Sequence, residues 1–258
     1  MKIRKEKNKG FEFYNKVAKK FGSYSSHSYK SITEYPKEEP EKVFKQKLIK
    51  VSGKNKVALD IGCADGKFSL SMSPYFKKII AIDLSQGMLN AGIKWQKEQK
   101  IKNILFKKAD AYKTKYKDRT FDVIYSRRGP SKFSEIFRLL KNKGYFVEIK
   151  IGEKDTQKIK EIFGRGQDFG DWKESRLKKH KEELKNIGFK IIFSQEYFYD
   201  EYYKTEKDLK TFLEGVPIFE DFDAKKDKKC LEKYTKLYKT KKGIKLSRHR
   251  LVFVAQKI

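Results

Sequence analysis

The chain is poor in the residues that build staples, anchors and acidic surfaces. Only two cysteines occur in 258 residues, Cys63 and Cys230, far apart and in no metal-ligand spacing. Neither a disulfide framework nor a metal site is therefore expected, and a reducing, cytoplasmic setting is the default expectation. No apolar run comes near the ~20 residues that a bilayer-spanning helix requires, so no membrane association is expected. The charged opening Met1–Lys7 has no apolar stretch behind it, so a secretory signal is not expected either. Internal repeats and long low-complexity linkers are missing too, which leaves one core-building domain with appendages as the expected organisation. Acidic residues are scarce: 34 Asp and Glu stand against 63 Lys and Arg, a formal charge of +29.

Such a charge suggests a nucleic-acid partner. Against that, only nine of the basic residues are Arg, and the Lys are scattered along the whole chain. Phosphate and base recognition favours the forked guanidinium of Arg. A solvated, Lys-coated surface therefore stands as the other reading, and sequence leaves both open.

What is present is a regular alternation. Short apolar runs over 57–61, 79–83, 104–106, 121–125, 145–151, 189–193 and 250–255 read as strands. Helical patterns over 67–72, 86–99, 133–140, 156–163 and 172–186 separate most of them. Strands alternating with helices at this pitch predict βαβ units and an α/β fold, a seven-stranded, mostly parallel sheet sandwiched by helices. Residues 1–50 read as a helical extension or lid, with a helix over 11–21 and a loop over 22–40. Residues 51–258 read as the main domain, in which 197–243 form a cap insertion with two short helices before the last strand.

The most informative segment is Val57-Ala-Leu-Asp-Ile-Gly-Cys-Ala-Asp-Gly-Lys-Phe68. An apolar strand ends near Asp60, and the chain turns through Gly62, Ala64 and Gly66 into a helix. Small residues at alternate positions let a backbone approach a ligand where a Cβ would collide. A dinucleotide fingerprint wants Gly at the first, third and sixth positions, but the sixth here is Lys67. Asp60 before the turn would repel a phosphate and suits a ligand carrying an ammonium group. Asp83 ends the second strand 21 residues after Gly62, where a carboxylate can accept both hydrogen bonds of a ribose diol, although it is also an ordinary helix N-cap position.

With these residues in view, the chain resembles the class I S-adenosylmethionine-dependent methyltransferases, whose first motif is an acidic residue followed by alternating small residues. The resemblance spans about residues 55–130 and implies a Rossmann-like fold with S-adenosyl-L-methionine as cofactor. It implies that Asp60, Gly62, Cys63, Ala64 and Gly66 surround the methionine moiety, Ala64 standing where the family more often has Gly. It implies further that Leu84 and Met88 pack the adenine, with a core place for Met88 as the other reading, and that Asp110 receives its amino group while the neighbouring backbone at Ala111 fixes the ring. Ser126, at the end of the fourth strand, joins this cofactor set.

The methyl acceptor is not named by the sequence. Its site is expected at the carboxyl end of the fourth strand, in Tyr125-Ser-Arg-Arg-Gly-Pro-Ser131. Arg127 and Arg128 there would repel a cationic cofactor unless an anion lay between them, which points to a carboxylate or phosphate on the acceptor. The alternative is that a protein carboxylate pairs with one of them. His249 and His27 are candidate bases, whereas His180, on a Lys- and Glu-rich helix, is expected to face solvent. The Asn/Asp-Pro-Pro-Tyr tetrad and the Pro-Cys pair are both missing, which disfavours adenine N6 and pyrimidine C5 as acceptors. The aromatics of 197–243 read either as a substrate cap or as a mini-core. Three readings follow: methyl transfer to a small molecule, methyl transfer to ribosomal or transfer RNA, and a non-catalytic cofactor-binding module. Oligomeric state is not written in the sequence.

Overall fold

The computed structural model describes residues 12–17, 19–20 and 29–258. They divide into two compact units. The larger contains Glu38–Ile151, Arg176–Glu196 and Leu251–Ile258; the smaller contains Gly152–Ser175, Tyr197–Arg250 and the described residues up to Lys37. This division does not coincide with a boundary at 50/51. Among the described residues no helix is long and apolar enough to cross a membrane.

The larger unit is built on parallel strands. These are β2 (Gly53–Ile61), β3 (Phe76–Asp83), β4 (Ile104–Lys108), β5 (Phe121–Arg127) and β6 (Leu140–Ile151). With β7 (Phe189–Tyr203) and β9 (Gly243–Lys257) the strand order is β7-β9-β6-β5-β2-β3-β4. Strand β2 pairs in parallel with β3 on one side and β5 on the other, Ala58 lying opposite both Ile79 and Val123. Chain order thus runs outward in opposite directions from β2, and the switch between β2 and β5 is the place where open α/β sheets leave a crevice at the carboxyl ends of their strands.

Alternation along the strands fills two faces. Leu59, Ile61, Ile124 and Phe146 join Ile136 of α4 (Phe133–Leu139) and Leu184 of α6 (Arg176–Ile187) in one buried cluster. On β2 and β5, Asp60 and Tyr125 alternate with those residues and so take the opposite face. Phe68 of α2 (Lys67–Met72) lies with its ring centroid 6.0 Å from that of Tyr125, and Phe44 of α1 (Pro40–Val51) lies 5.3 Å from Phe68. Helix α3 (Gln86–Glu98) starts on Ser85, whose hydroxyl accepts from the Met88 N–H.

The smaller unit has its own core. Ile159 and Phe163 of α5 (Gln157–Phe163) pack with Phe212 and Leu213 of α7 (Glu206–Gly215) and with Leu231 and Tyr234 of α8 (Lys228–Tyr238). Helix α7 opens with a capping box in which Thr205 and Asp208 satisfy each other's backbone N–H. Strand β1 (Ser31–Glu34) pairs antiparallel with the end of β7, and β8 (Lys239–Thr240) with the start of β9.

Against the seven strands read from sequence, nine occur among the described residues. Strands β1 and β8 were missed because they are short and mostly polar. Strands β7 and β9 run well beyond 189–193 and 250–255, into a segment read as insertion. The two short helices expected there are present as α7 and α8. Trp172, expected in a helix, lies in a 3-10 turn, and α6 begins at Arg176.

Candidate functional site

Strand β2 delivers Asp60 to the mouth of the crevice, and the loop behind it is held in a strained shape. Gly62, Ala64 and Gly66 all have positive φ, at 70°, 48° and 69°. The N–H groups of Gly62 and Cys63 both donate to the Ile82 carbonyl, at 2.9 and 3.0 Å, and Gly66 N–H donates to Cys63 O. The space that side chains would need at the two glycines is already filled by protein. A Cβ on Gly62 would lie 2.9 Å from Pro130 Cδ, and one on Gly66 would lie 2.3 Å from the Phe106 ring. The glycines therefore seat the loop on its neighbours as well as freeing its backbone.

Three aspartates face this loop. Asp83 accepts from Ala64 N–H with Oδ2 at 2.9 Å and from Ser85 N–H with Oδ1 at 2.8 Å. Burial raises its pKa above the usual carboxylate range, against the lowering effect of those N–H groups. Asp60 is almost wholly buried and accepts from the Ser69 hydroxyl at 2.5 Å. Burial pushes its pKa up to about 7, partly opposed by Ser69 and by the Arg127 charge. Asp65 is buried as well and accepts from the Lys67 N–H at 3.3 Å. Buried carboxyl groups whose ionised forms are disfavoured suit a ligand with a positive end, which would stabilise those ionised forms.

The expected cofactor residues separate into two groups. Asp60, Gly62, Cys63, Ala64, Gly66 and Asp83 come together at the end of β2 and β3. Ser126, buried at the end of β5, lies behind Gly129, whose added Cβ would approach its Oγ to 3.0 Å. Leu84 is 41% exposed beside Asp83 and offers an apolar surface. Met88, by contrast, is fully buried in the core, and Ala111 belongs to the main cluster. Asp110 is exposed and accepts from the N–H of Tyr112, two residues on.

At the turn expected to border the acceptor, Arg127 Nε lies 2.8 Å from Glu41 Oε2, and Arg128 Nη2 lies 3.5 Å from Glu41 Oε1. Arg127 also stacks over Phe68, 5.5 Å from its centroid. A carboxylate of α1 therefore sits with both guanidinium groups, the place a substrate anion was expected to take. The sequence offered a protein carboxylate as the alternative partner of one arginine but did not point to Glu41, since an acid in the first turn of a helix is commonplace.

The histidines fall elsewhere. His27 lies outside the described residues. His249 belongs to the smaller unit, where it is buried, stacks on Phe198 at 4.1 Å, and accepts from Lys154 N–H with Nδ1 at 3.3 Å. His180 is not a surface residue. Its ring stands edge-on to Phe133 at 5.2 Å and lies 5.9 Å from Phe253. Burial, aided by the charges of Lys150, Arg176 and Lys179, lowers its pKa to about 3. The aromatics of 197–243 are mostly core: Tyr197, Tyr199, Tyr202, Tyr203, Phe212 and Phe219 are all buried.

Sequence reasoning also passed over Glu148. It is fully buried on β6, in register with Ser126, and accepts from the Ser131 hydroxyl. The signal was there: an acid flanked by Val147 and Ile149 inside an apolar strand.

Comparison with known proteins bears on this crevice. Residues 58–144 match the family model described as "Methyltransferase domain". The uncharacterized methyltransferase YcgJ of Bacillus subtilis is 30% identical over 96 residues, 34% of this chain and 38% of its own length. YxjB of the same organism, provisionally named a 23S rRNA (guanine-N(1)-)-methyltransferase, is 34% identical over 97 residues, 35% of this chain and 32% of its own. These matches span only about a third of each relative's length, 38% and 32%. The crystal structure of YcgJ superposes with a TM-score of 0.62 at 17% identity, covering 84% of this chain and 98% of that one. That of BH2331 from Bacillus halodurans, provisionally named a methyltransferase, gives 0.64 at 14% identity, covering 84% and 99%.

Proposed function

From a chain whose residues 58–144 carry a methyltransferase domain on the class I Rossmann-like fold, we infer that the protein is an S-adenosylmethionine-dependent methyltransferase acting on a small-molecule acceptor. The observation that carries the cofactor is the loop Gly62–Gly66, left-handed at three alternate residues and tied to the Asp83 carboxylate through Ala64 N–H.

The residues present fit that cofactor. Asp83 accepts one N–H on each oxygen, which leaves lone pairs for a ribose diol. Leu84 offers the exposed apolar face that a flat base needs, with Asp110 at the rim beyond β4. Asp60, Cys63 and the loop backbone surround the end where an ammonium group belongs, and the buried Ser126 Oγ is a polar atom without a protein partner. When bound, the group supplies an electrophilic methyl on a sulfonium. The protein's own task is chiefly alignment of the acceptor's lone pair, because displacement in line needs little else. Asp60 and Asp83 hold the cationic nucleoside, and the turn Arg127–Ser131 borders the acceptor. Glu41 offsets one of the two charges of Arg127 and Arg128, so the demand for an acceptor anion there is reduced to a single charge. No histidine is assigned as base.

A second reading, an RNA acceptor, is favoured by the name of YxjB and by the charge of +29. Both readings are tested by incubating the purified chain with methyl-labelled S-adenosylmethionine against total RNA and against a metabolite extract. Label in the metabolites supports the first reading and label in RNA the second. Cofactor binding with label in neither fraction would leave a non-catalytic module. A folded chain that gives no calorimetric heat with S-adenosylhomocysteine would sink all three.

A further inference from the structure

We propose that Glu148 is a positioning residue: through Ser131 it latches the turn after β5 against the cofactor loop, and thereby sets how tightly that loop holds its ligand. The inference rests on the cofactor reading above and names a residue that reading does not use.

The latch is a chain of contacts within the larger unit. Glu148 lies on a central strand with no exposed surface. Its Oε1 accepts from the Ser131 hydroxyl, and Lys150 Nζ stands 3.3 Å from that oxygen and 3.2 Å from Ser131 Oγ. One residue before Ser131, Pro130 packs on the cofactor loop, where its Cδ would lie 2.9 Å from a Cβ at Gly62. Gly129 is pressed onto the same segment: a Cβ there would sit 2.6 Å from Ile61 O and 3.3 Å from Gly62 Cα. Arg128, at a φ of 64°, begins the sharp turn, and its N–H donates to Ile149 O at 2.7 Å. The turn is thus pinned at both ends to β6 and presses its middle on Gly62.

Stability alone does not account for a carboxylate in this place. Glu148 Oε2 is buried without a hydrogen-bond partner, and so is Ser126 Oγ, its neighbour across the strand pair. An unpaired buried carboxylate oxygen is unfavourable, and replacing a whole buried polar set by apolar residues commonly gives an equal or better fold, whereas removing the carboxylate alone leaves Lys150 and Ser131 without it. What an apolar residue could not do is hold the Ser131 hydroxyl. With the latch open, Pro130 and Gly129 no longer fix the backbone of Gly62.

The test is calorimetric titration of the full chain with S-adenosylhomocysteine, alongside thermal unfolding. Ser131→Ala and Glu148→Met should each weaken binding 5- to 20-fold, Ser131→Ala with little change in melting temperature and Glu148→Met with a lower one, because Lys150 then lacks its carboxylate. Glu148→Gln, which keeps an amide oxygen for the hydroxyl, should recover most of the affinity. The double variant Ser131→Ala/Glu148→Met should bind no more weakly than Glu148→Met alone. Ser131 is only partly buried, so its variant reports even where Glu148→Met folds poorly. Affinities of Ser131→Ala and Glu148→Met within twofold of wild type would overturn the latch. So would a Glu148→Gln protein as weak as Glu148→Met, because charge would then be the agent. Failure of the wild-type chain itself to bind would instead bring down the cofactor reading, and this inference with it.

Discussion

Asp60 and His180 carry opposite protonation penalties, and together they mask each other. Asp60 titrates near pH 7 in the folded chain against 3.8 in its ordinary state, because burial disfavours the carboxylate. Between about pH 4 and 7 the folded chain holds a proton that the unfolded chain has lost, so stability falls as pH rises. His180 titrates near 3 against 6.5, again because burial disfavours the charged ring. Between those values the unfolded chain holds the extra proton, so stability rises with pH. Each slope is about 1.4 kcal/mol per pH unit per proton, and over pH 4 to 6.5 the two nearly cancel. Asp60→Asn should therefore lose stability steeply below pH 6.5, and His180→Phe should lose it as pH rises from 4 to 7. Urea unfolding at pH 4.5, 5.5 and 6.5 reads both, and parallel profiles for wild type and variants would refute the pairing. Ala64 offers a simpler test. An L-residue at a φ of 48° is strained by about 1–2 kcal/mol, and Gly recovers this less about 0.5–1 kcal/mol of unfolded-chain entropy. Ala64→Gly should stabilise the chain by about 0.5 kcal/mol and leave ligand affinity unchanged.

Among the elements, the start of α5 is fixed to β9 by one carboxylate. Asp155 Oδ1 accepts from Arg248 Nε at 3.0 Å, Arg250 Nη1 at 2.6 Å and His249 N–H at 2.9 Å. Burial alone would raise its pKa, but the two guanidinium groups overcome that and hold it well below the usual range. Asp155→Ala leaves the buried Arg250 guanidinium without a carboxylate and Arg248 with Glu201 alone, a loss of about 3–5 kcal/mol for a broken buried pair. Asp155→Asn, which keeps an acceptor, should cost less; equal stability of Asp155→Ala and wild type in denaturant would exclude the anchoring role. The sequence announced little of this. Strands β2, β3, β5 and β6 were legible because Ala58, Ile79, Val123 and Phe146 belong to apolar runs buried on both faces. The ends of β7 and β9 were not, since Tyr197–Tyr203 and Lys245–Arg250 mix aromatics with charge and their pairing depends on distant partners. His180 was readable in retrospect: Leu177, His180, Leu184 and Ile187 share one face of α6, and the first and last two pack on the core. The loop Gly62–Gly66 was legible as a motif, but its contact with Pro130 and the pairing of both arginines with Glu41 are long-range facts no local pattern encodes.

At the scale of the whole molecule, the question is what the charge of +29 does. Arginine is largely spent inside the protein. Arg127 and Arg128 meet Glu41, Arg138 meets Glu135 and Asp118, and Arg165 meets Asp221 and Asp227. Arg248 and Arg250 meet Asp155, and Arg176 donates to Ile151 O. The excess that faces solvent is therefore lysine, a compact point charge that attracts phosphates without reading bases. An RNA acceptor would then be gathered by counterion release, with affinity falling by about 0.7 log units per log unit of salt for each single-strand phosphate neutralised. Five such contacts would raise the apparent KM for RNA by roughly two orders of magnitude between 50 and 200 mM salt, with kcat hardly moved. A small acceptor in the crevice would show at most a several-fold change, because few charges are exchanged. Methyl transfer measured at both salt concentrations separates the readings: a KM that is nearly salt-independent excludes RNA as acceptor, and a steep one excludes the small molecule.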